Sequence, residues 1–220
     1  MSGTALLKTA LRILWAGGMD AWFALVFLIT WIAPDTFGEK TVHQLTFVML
    51  VEFIVVHSAA FMGAVATRDA TPLARAAQFT GLTALYTIFA LGFSALYGAL
   101  WPVFAFWLLM LSRFPTVVLR PPDFRGQFVL MANWAAMAVL YLVGTGITAT
   151  SAIPQLGITP EVIAAQEFDM GGLWPEEPYR VMAFGTFYFA GLAVLAVINE
   201  GIAIAATWHK TRKAVRTEEA

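Results

Sequence analysis

Six side chains in this sequence stand where chemistry is costly to place. Asp20, Glu52 and Glu200 are carboxylates, His57 is an imidazole, and Asn133 and Asn199 are amides, all within stretches that otherwise read as membrane-spanning. An ionisable group in hydrocarbon is expensive and marks a functional-site hypothesis by default. Counting residues from the inner end of each stretch places Asp20 ~12 Å deep, His57 ~13 Å, Glu200 ~12 Å and Asn133 ~9 Å. Asn199 stands beside Glu200. One level shared by several helices predicts a connected polar cluster. Burial raises a carboxylate pKa and lowers that of histidine, whereas an acid–imidazole pair pulls both the other way. Such a cluster would hold and release a proton near neutral pH. Asp20, His57 and Glu200 would also serve as ligands for a cation. The competing reading is structural: Asp20, following Ala16-Gly17-Gly18, caps a helix at the inner interface, and Asn199 and Glu200 bridge helices.

Glu52 is expected on its own, ~7.5 Å above His57 and about 140° around the helix from it. The phenol of Tyr141 or of Tyr188 stands at a comparable depth and would satisfy a protonated Glu52. Glu52 then reads either as a relay towards the outer face or as a neutral acid packed in the bundle.

His43 and His57 are fourteen residues apart, which sets them within about 40° on one helical face and ~21 Å apart along it. That spacing resembles the paired haem-ligating histidines on a helix of the dihaem b-type cytochromes. The resemblance covers one helix and implies haem ligation by His43 and His57. A second histidine pair would then be needed on a facing helix. Only His209 is left in this chain, so a second copy or a partner chain would have to supply it.

Other chemistries find no footing. The chain has no cysteine, which removes disulfides, thiolate metal sites, iron–sulfur clusters and thiol catalysis. Gly144-Thr145-Gly146 lacks the strand–turn–helix setting of a phosphate loop, and His-Glu-x-x-His is absent. Ser58 adjoins His57, but neighbouring helix positions diverge by about 100°, so the two are not a nucleophile–base pair. No cofactor is named by the sequence beyond the haem and cation readings.

The elements that must position these residues follow from composition. Of 220 residues, 60% are hydrophobic and 12% charged, with a mean hydropathy of +0.74. Soluble domains carry about 25% charged residues, so lipid must be the solvent for much of this chain. A span needs about 20 predominantly apolar residues. Six stretches are expected to be such spans: 13–33, 41–66, 77–96, 101–119, 127–148 and 181–208. Lys8 and Arg12 precede the first without a small-residue cleavage pattern after it, so it reads as a retained span. The fold class is an all-α six-helix membrane bundle.

With the N-terminus in the cytoplasm, the inner segments hold eleven cations: Lys8, Arg12, Arg68, Arg75, Arg113, Arg120, Arg125, Lys210, Arg212, Lys213 and Arg216. The outer segments hold two, Lys40 and Arg180. That bias predicts both termini on the cytoplasmic side of a plasma or bacterial-type inner membrane. The outer loop 149–180 is unusually long. Thr159-Pro160-Glu161 predicts a short helix over 160–168, with Trp174 and Tyr179 at the interface. That loop is either a lid or a surface-packed connector. Small residues at helix-packing spacing include Ser94 with Gly98 and Ala132 with Ala136.

Three functions remain open. The first is proton- or cation-coupled movement of a small solute through the Asp20, His57 and Glu200 site. The second is a non-catalytic membrane subunit or assembly partner within a homo-oligomer or larger complex. The third is a haem-binding redox protein. The partner common to all three is the lipid bilayer. Nucleic acid is not an expected partner, and the terminal basic residues read as a cytoplasmic anchor.

Overall fold

The computed structural model describes residues 3–97, 100–114, 118, 124–168 and 171–218. The side chains of Lys8, Arg113, Arg125, His209, Lys210, Arg212, Lys213 and Arg216 lie outside that description, as do Gly98 and Arg120 altogether. The described residues form helices and turns, with no strand among them. Helix α1 spans Gly3–Ile32, α2 Thr41–Thr67, α3 Pro72–Tyr97, α4 Trp101–Phe114, α5 Phe124–Thr150, α6 Pro160–Ala165, α7 Leu173–Glu176 and α8 Pro178–Glu218.

Several starts are set by local chemistry. The Thr71 hydroxyl accepts from the Ala74 N–H at 3.2 Å, with Pro72 in the first turn, where its missing N–H costs nothing. Thr159 does the same for α6, accepting from the Val162 N–H at 3.4 Å ahead of Pro160.

Five helices are long and apolar enough to cross a membrane: Leu14–Ile32, Thr41–Ala66, Pro72–Ala95, Gly126–Thr150 and Pro178–Ala205. Large apolar side chains point away from the bundle, including Trp15, Ile88, Phe104 and Leu142. Such a surface suits lipid, not water. The chain is therefore an all-helical, multi-pass integral membrane protein. The expected span 101–119 starts at Trp101 as read, but α4 has 14 residues, or ~21 Å, against a ~30 Å hydrocarbon core. Most of its expected continuation lies outside the described residues.

Helices α1 and α8 pack closely and antiparallel. At Gly17 a Cβ would meet the Ala193 carbonyl oxygen at 2.8 Å, and at Gly185 it would enter the ring of fully buried Phe27. Only hydrogen at these two positions lets the helices approach so closely. Phe27 and Phe23 stack on Phe189, with centroids 5.5 and 5.0 Å apart. Helices α2 and α5 are joined by two polar struts. Tyr141 Oη donates to the Met49 carbonyl and Trp134 Nε1 to the Val56 carbonyl, each at 3.0 Å. The spacing is seven residues on both helices, running in opposite directions. A helix carbonyl has a second lone pair with which to accept such a bond.

A second core lies between α2, α3 and α4, built from Ile54, Met62, Phe79, Tyr86, Phe106 and Met110. Phe114 meets Phe79 edge-on at 5.5 Å, and Arg75 Nε donates to the Val118 carbonyl at 3.3 Å. The chain after α3 thus runs back beside it, towards its N-terminal end.

The long connection seals one end of the bundle, here termed the loop face. Trp31 Nε1 donates to the Pro154 carbonyl at 2.9 Å, and the Gly157 N–H donates to the Trp31 carbonyl at 3.0 Å. Arg180 Nη1 donates to the Thr148 and Ser151 carbonyls at 2.6 and 2.9 Å, placing a cation on the open C-terminus of α5. The end of α1, the start of α2, the end of α5 and the start of α8 therefore share this face. Of the helix expected over 160–168, α6 covers Pro160–Ala165 with its C-cap at Gln166, and Ile158 and Gln166 are buried.

Candidate functional site

The six polar residues expected in the membrane resolve into separate contacts. Glu200 forms an ion pair with Arg12, Nη2 to Oε1 at 2.6 Å. Asn199 Nδ2 donates to Asn133 Oδ1 at 2.9 Å, tying α8 to α5. Adjacent helix positions diverge by about 100°. Asn199 facing α5 therefore turns Glu200 away, towards α1. Asp20 is half-buried on α1, close enough to act electrostatically on the Tyr188 phenol.

Glu52 faces inward: Tyr188 Oη donates to its Oε1 at 2.7 Å. Tyr188 is fully buried, and its ring meets Tyr141 edge-on at 5.5 Å. Of the two phenols available by depth, Tyr188 serves Glu52 and Tyr141 serves the α2 backbone. The angle between Glu52 and His57 then directs His57 outward, where it is exposed. Depth counting placed these groups on one level but did not fix their direction. Among the described residues no three of His, Asp or Glu gather as a metal site. Asp20, His57 and Glu200 do not converge, so the structure does not assemble the shared site expected for proton or cation movement.

His43 belongs to the loop face. Its N–H donates to Gln166 Oε1 at 3.0 Å, and its Nδ1 lies 3.1 Å from the Gln166 carbonyl oxygen. Its ring lies against Phe47 and Phe168, with centroids 5.1 and 4.8 Å away. His57, by contrast, meets Phe53 at 4.2 Å and opens onto a groove. The two histidines of the haem reading have different surroundings.

That groove lies between α2 and α5 and encloses about 860 Å³. Ligand sites commonly span ~300–1,000 Å³. His57, Phe61 and Ala64 on α2 and Arg68 just past its end line it, at offsets of 4, 7 and 11 residues from His57. Helix α5 supplies Met131, Trp134, Ala138 and Tyr141. Alanine at 60, 64 and 138 makes the surface concave, while the Trp134 and Tyr141 struts brace the helices. Both strut donors are already engaged with α2 carbonyls. Among the described residues, the His57 ring nitrogens and the Arg68 guanidinium have no hydrogen-bond or ion-pair partner.

The arrangement offers binding: an apolar trough with an imidazole in its wall and a cation at one end. Reading the sequence by intramembrane charge found His57 but passed over Arg68, Trp134 and the alanines. The signal was present in the helical phase shared by positions 57, 64 and 68, and in the heptad from Trp134 to Tyr141. Compared with family models, curated proteins and solved structures, the chain matches none.

Proposed function

We propose that this chain crosses the membrane six times, with both ends in the cytoplasm, and holds a membrane-dissolved amphiphile in the groove between α2 and α5. The loop-face contacts support the even number of crossings. They place the C-terminal end of α5 beside the N-terminal end of α2, so α5 starts on the face where α2 ends and α3 begins. The chain leaving α3 must then return across the bundle. Phe114 against Phe79, and Val118 beside Arg75, support α4 and its continuation as that return. The excess of Lys and Arg away from the loop face supports the cytoplasmic reading of that side. Because the chain has no cysteine, single cysteines at Thr4, Glu218 and Glu161 report sidedness cleanly. An impermeant thiol reagent should label the first two from one side and the third from the other. Labelling of Thr4→Cys and Glu218→Cys from opposite sides would refute six crossings.

One observation carries the binding reading: a groove of about 860 Å³, open at the bundle's apolar surface, in which His57 and Arg68 have no hydrogen-bond or ion-pair partner among the described residues. Native mass spectrometry from mild detergent should show a retained lipid-sized adduct. Ala64→Phe, which fills the trough, should lower its occupancy several-fold. Equal occupancy in both proteins would sink the reading.

A further inference from the structure

We infer that the groove's occupant is a phospholipid with an anionic head group, its phosphate set against Arg68 and one acyl chain laid along α2 past Ala64 and His57. The inference rests on the binding reading above and specifies the ligand. The groove is polarised along its length. Arg68 follows the last turn of α2, its backbone extended at φ −74° and ψ 135°, its N–H donating to the Val65 carbonyl. Its guanidinium is therefore at the surface end of the trough, and neighbouring Asp69 forms no ion pair among the described residues.

Eleven residues separate Arg68 from His57, a rise of ~16 Å, so the trough runs well into the hydrocarbon. The groove presents a cation at the level of head groups and apolar walls at the level of chains. The Trp134 and Tyr141 donors are already engaged, so neither competes for the phosphate. A planar guanidinium binds phosphate through paired hydrogen bonds. A zwitterionic lipid carries a compensating ammonium beside its phosphate and gains less. Anionic lipids also populate the cytoplasmic leaflet, on the side where the charge bias places Arg68.

The test uses the full chain in phosphatidylcholine vesicles containing a small fraction of brominated phosphatidylglycerol or brominated phosphatidylcholine. Bromine quenches nearby indoles, and the part due to Trp134 is the difference between the native chain and Trp134→Phe. Phosphatidylglycerol should associate about 5-fold more strongly, the scale of one cation near an anionic surface. Arg68→Gln should bring the two lipids to parity, and Arg68→Lys, which keeps the charge but not the paired hydrogen bonds, should hold both lipids more weakly while still favouring phosphatidylglycerol. Competition between the two lipids in native mass spectrometry reads the same preference without Trp134→Phe. Parity in the native chain, or an undiminished preference in Arg68→Gln, overturns the head-group assignment. If Ala64→Phe still relieves quenching by both lipids, the binding reading survives that failure. If Ala64→Phe alters quenching by neither lipid, the binding reading falls as well.

Discussion

The loop face and the opposite half of the bundle use polar residues differently. At the loop face, one side chain closes several backbone groups at once. Gln166 is buried, donates to the Glu39 carbonyl at 2.8 Å and to the Val162 carbonyl at 3.2 Å, and accepts from the His43 N–H at 3.0 Å. Lys40 joins it through the Ala165 carbonyl and Glu167 Oε2, both at 2.8 Å. In the opposite half, the described residues include single side-chain pairs, Arg12 with Glu200 and Asn133 with Asn199. His57 and Arg68 remain open there. The contrast separates residues that complete the fold from residues left available to a ligand. Burial and membrane depth alone do not make that separation.

The largest effect is expected at the centre of the loop-face network. Gln166→Leu would leave the Glu39 carbonyl and the His43 N–H without their partners. An unsatisfied buried group costs about 1–3 kcal/mol; these two bonds are part-buried, so each is expected at the low end of that range. Asn199→Leu removes one interhelical bond, for which membrane proteins show about 0.6–2 kcal/mol. Thermal unfolding in detergent should therefore rank Gln166→Leu below Asn199→Leu. The reverse order would mean that the isolated pairs, not the loop face, hold the bundle together, and the contrast would fail.

How much of this was legible in the sequence varies with the physics behind each feature. Five of the six expected spans were legible because an apolar run of about 20 residues has few alternatives. The short helix after Thr159 was legible because a hydroxyl cap followed by proline is a local signal. The Asn133–Asn199 pair was half legible: the count gave a common depth, and the structure supplied the facing. Glu200 beside Asn199 shows why the expected cluster was not. One residue step turns a side chain by about 100°, so equal depth says nothing about which helix it meets. The dual role of Gln166 was also hidden, because its partners lie 123 and 127 residues away in sequence. The α2–α5 groove is a property of two helices packed at a distance set by Trp134 and Tyr141, and neither helix shows it alone.

The smallest effect sharpens the same contrast through pH. Glu167 is held below the ordinary carboxylate range, first by the hydrogen bond from Lys40 and then by its charge. Glu161 is lowered as well, chiefly by its hydrogen bond with the Thr159 hydroxyl. A carboxylate with a depressed folded-state pKa stabilises the fold above its unfolded value, about 4.3 for glutamate. That contribution disappears as pH falls through the folded-state value. Acidification from about pH 7 to about pH 3 should therefore loosen α6 and the Lys40 contact. The change should be modest, because both carboxylates are solvent-exposed and Lys40 keeps its bond to the Ala165 carbonyl. Protection factors over residues 160–167, referred to the intrinsic exchange rate at each pH, should fall on acidification, and Glu161→Gln with Glu167→Gln should abolish most of that fall. The α5 amides around Asn133 should respond less, since the Asn133–Asn199 pair carries no titrating group and the Glu200 carboxylate stands on α8 facing α1. An equal acid response at both levels would show that the loop face has no separate electrostatic support, leaving its buried Gln166 network as the only difference between the two halves.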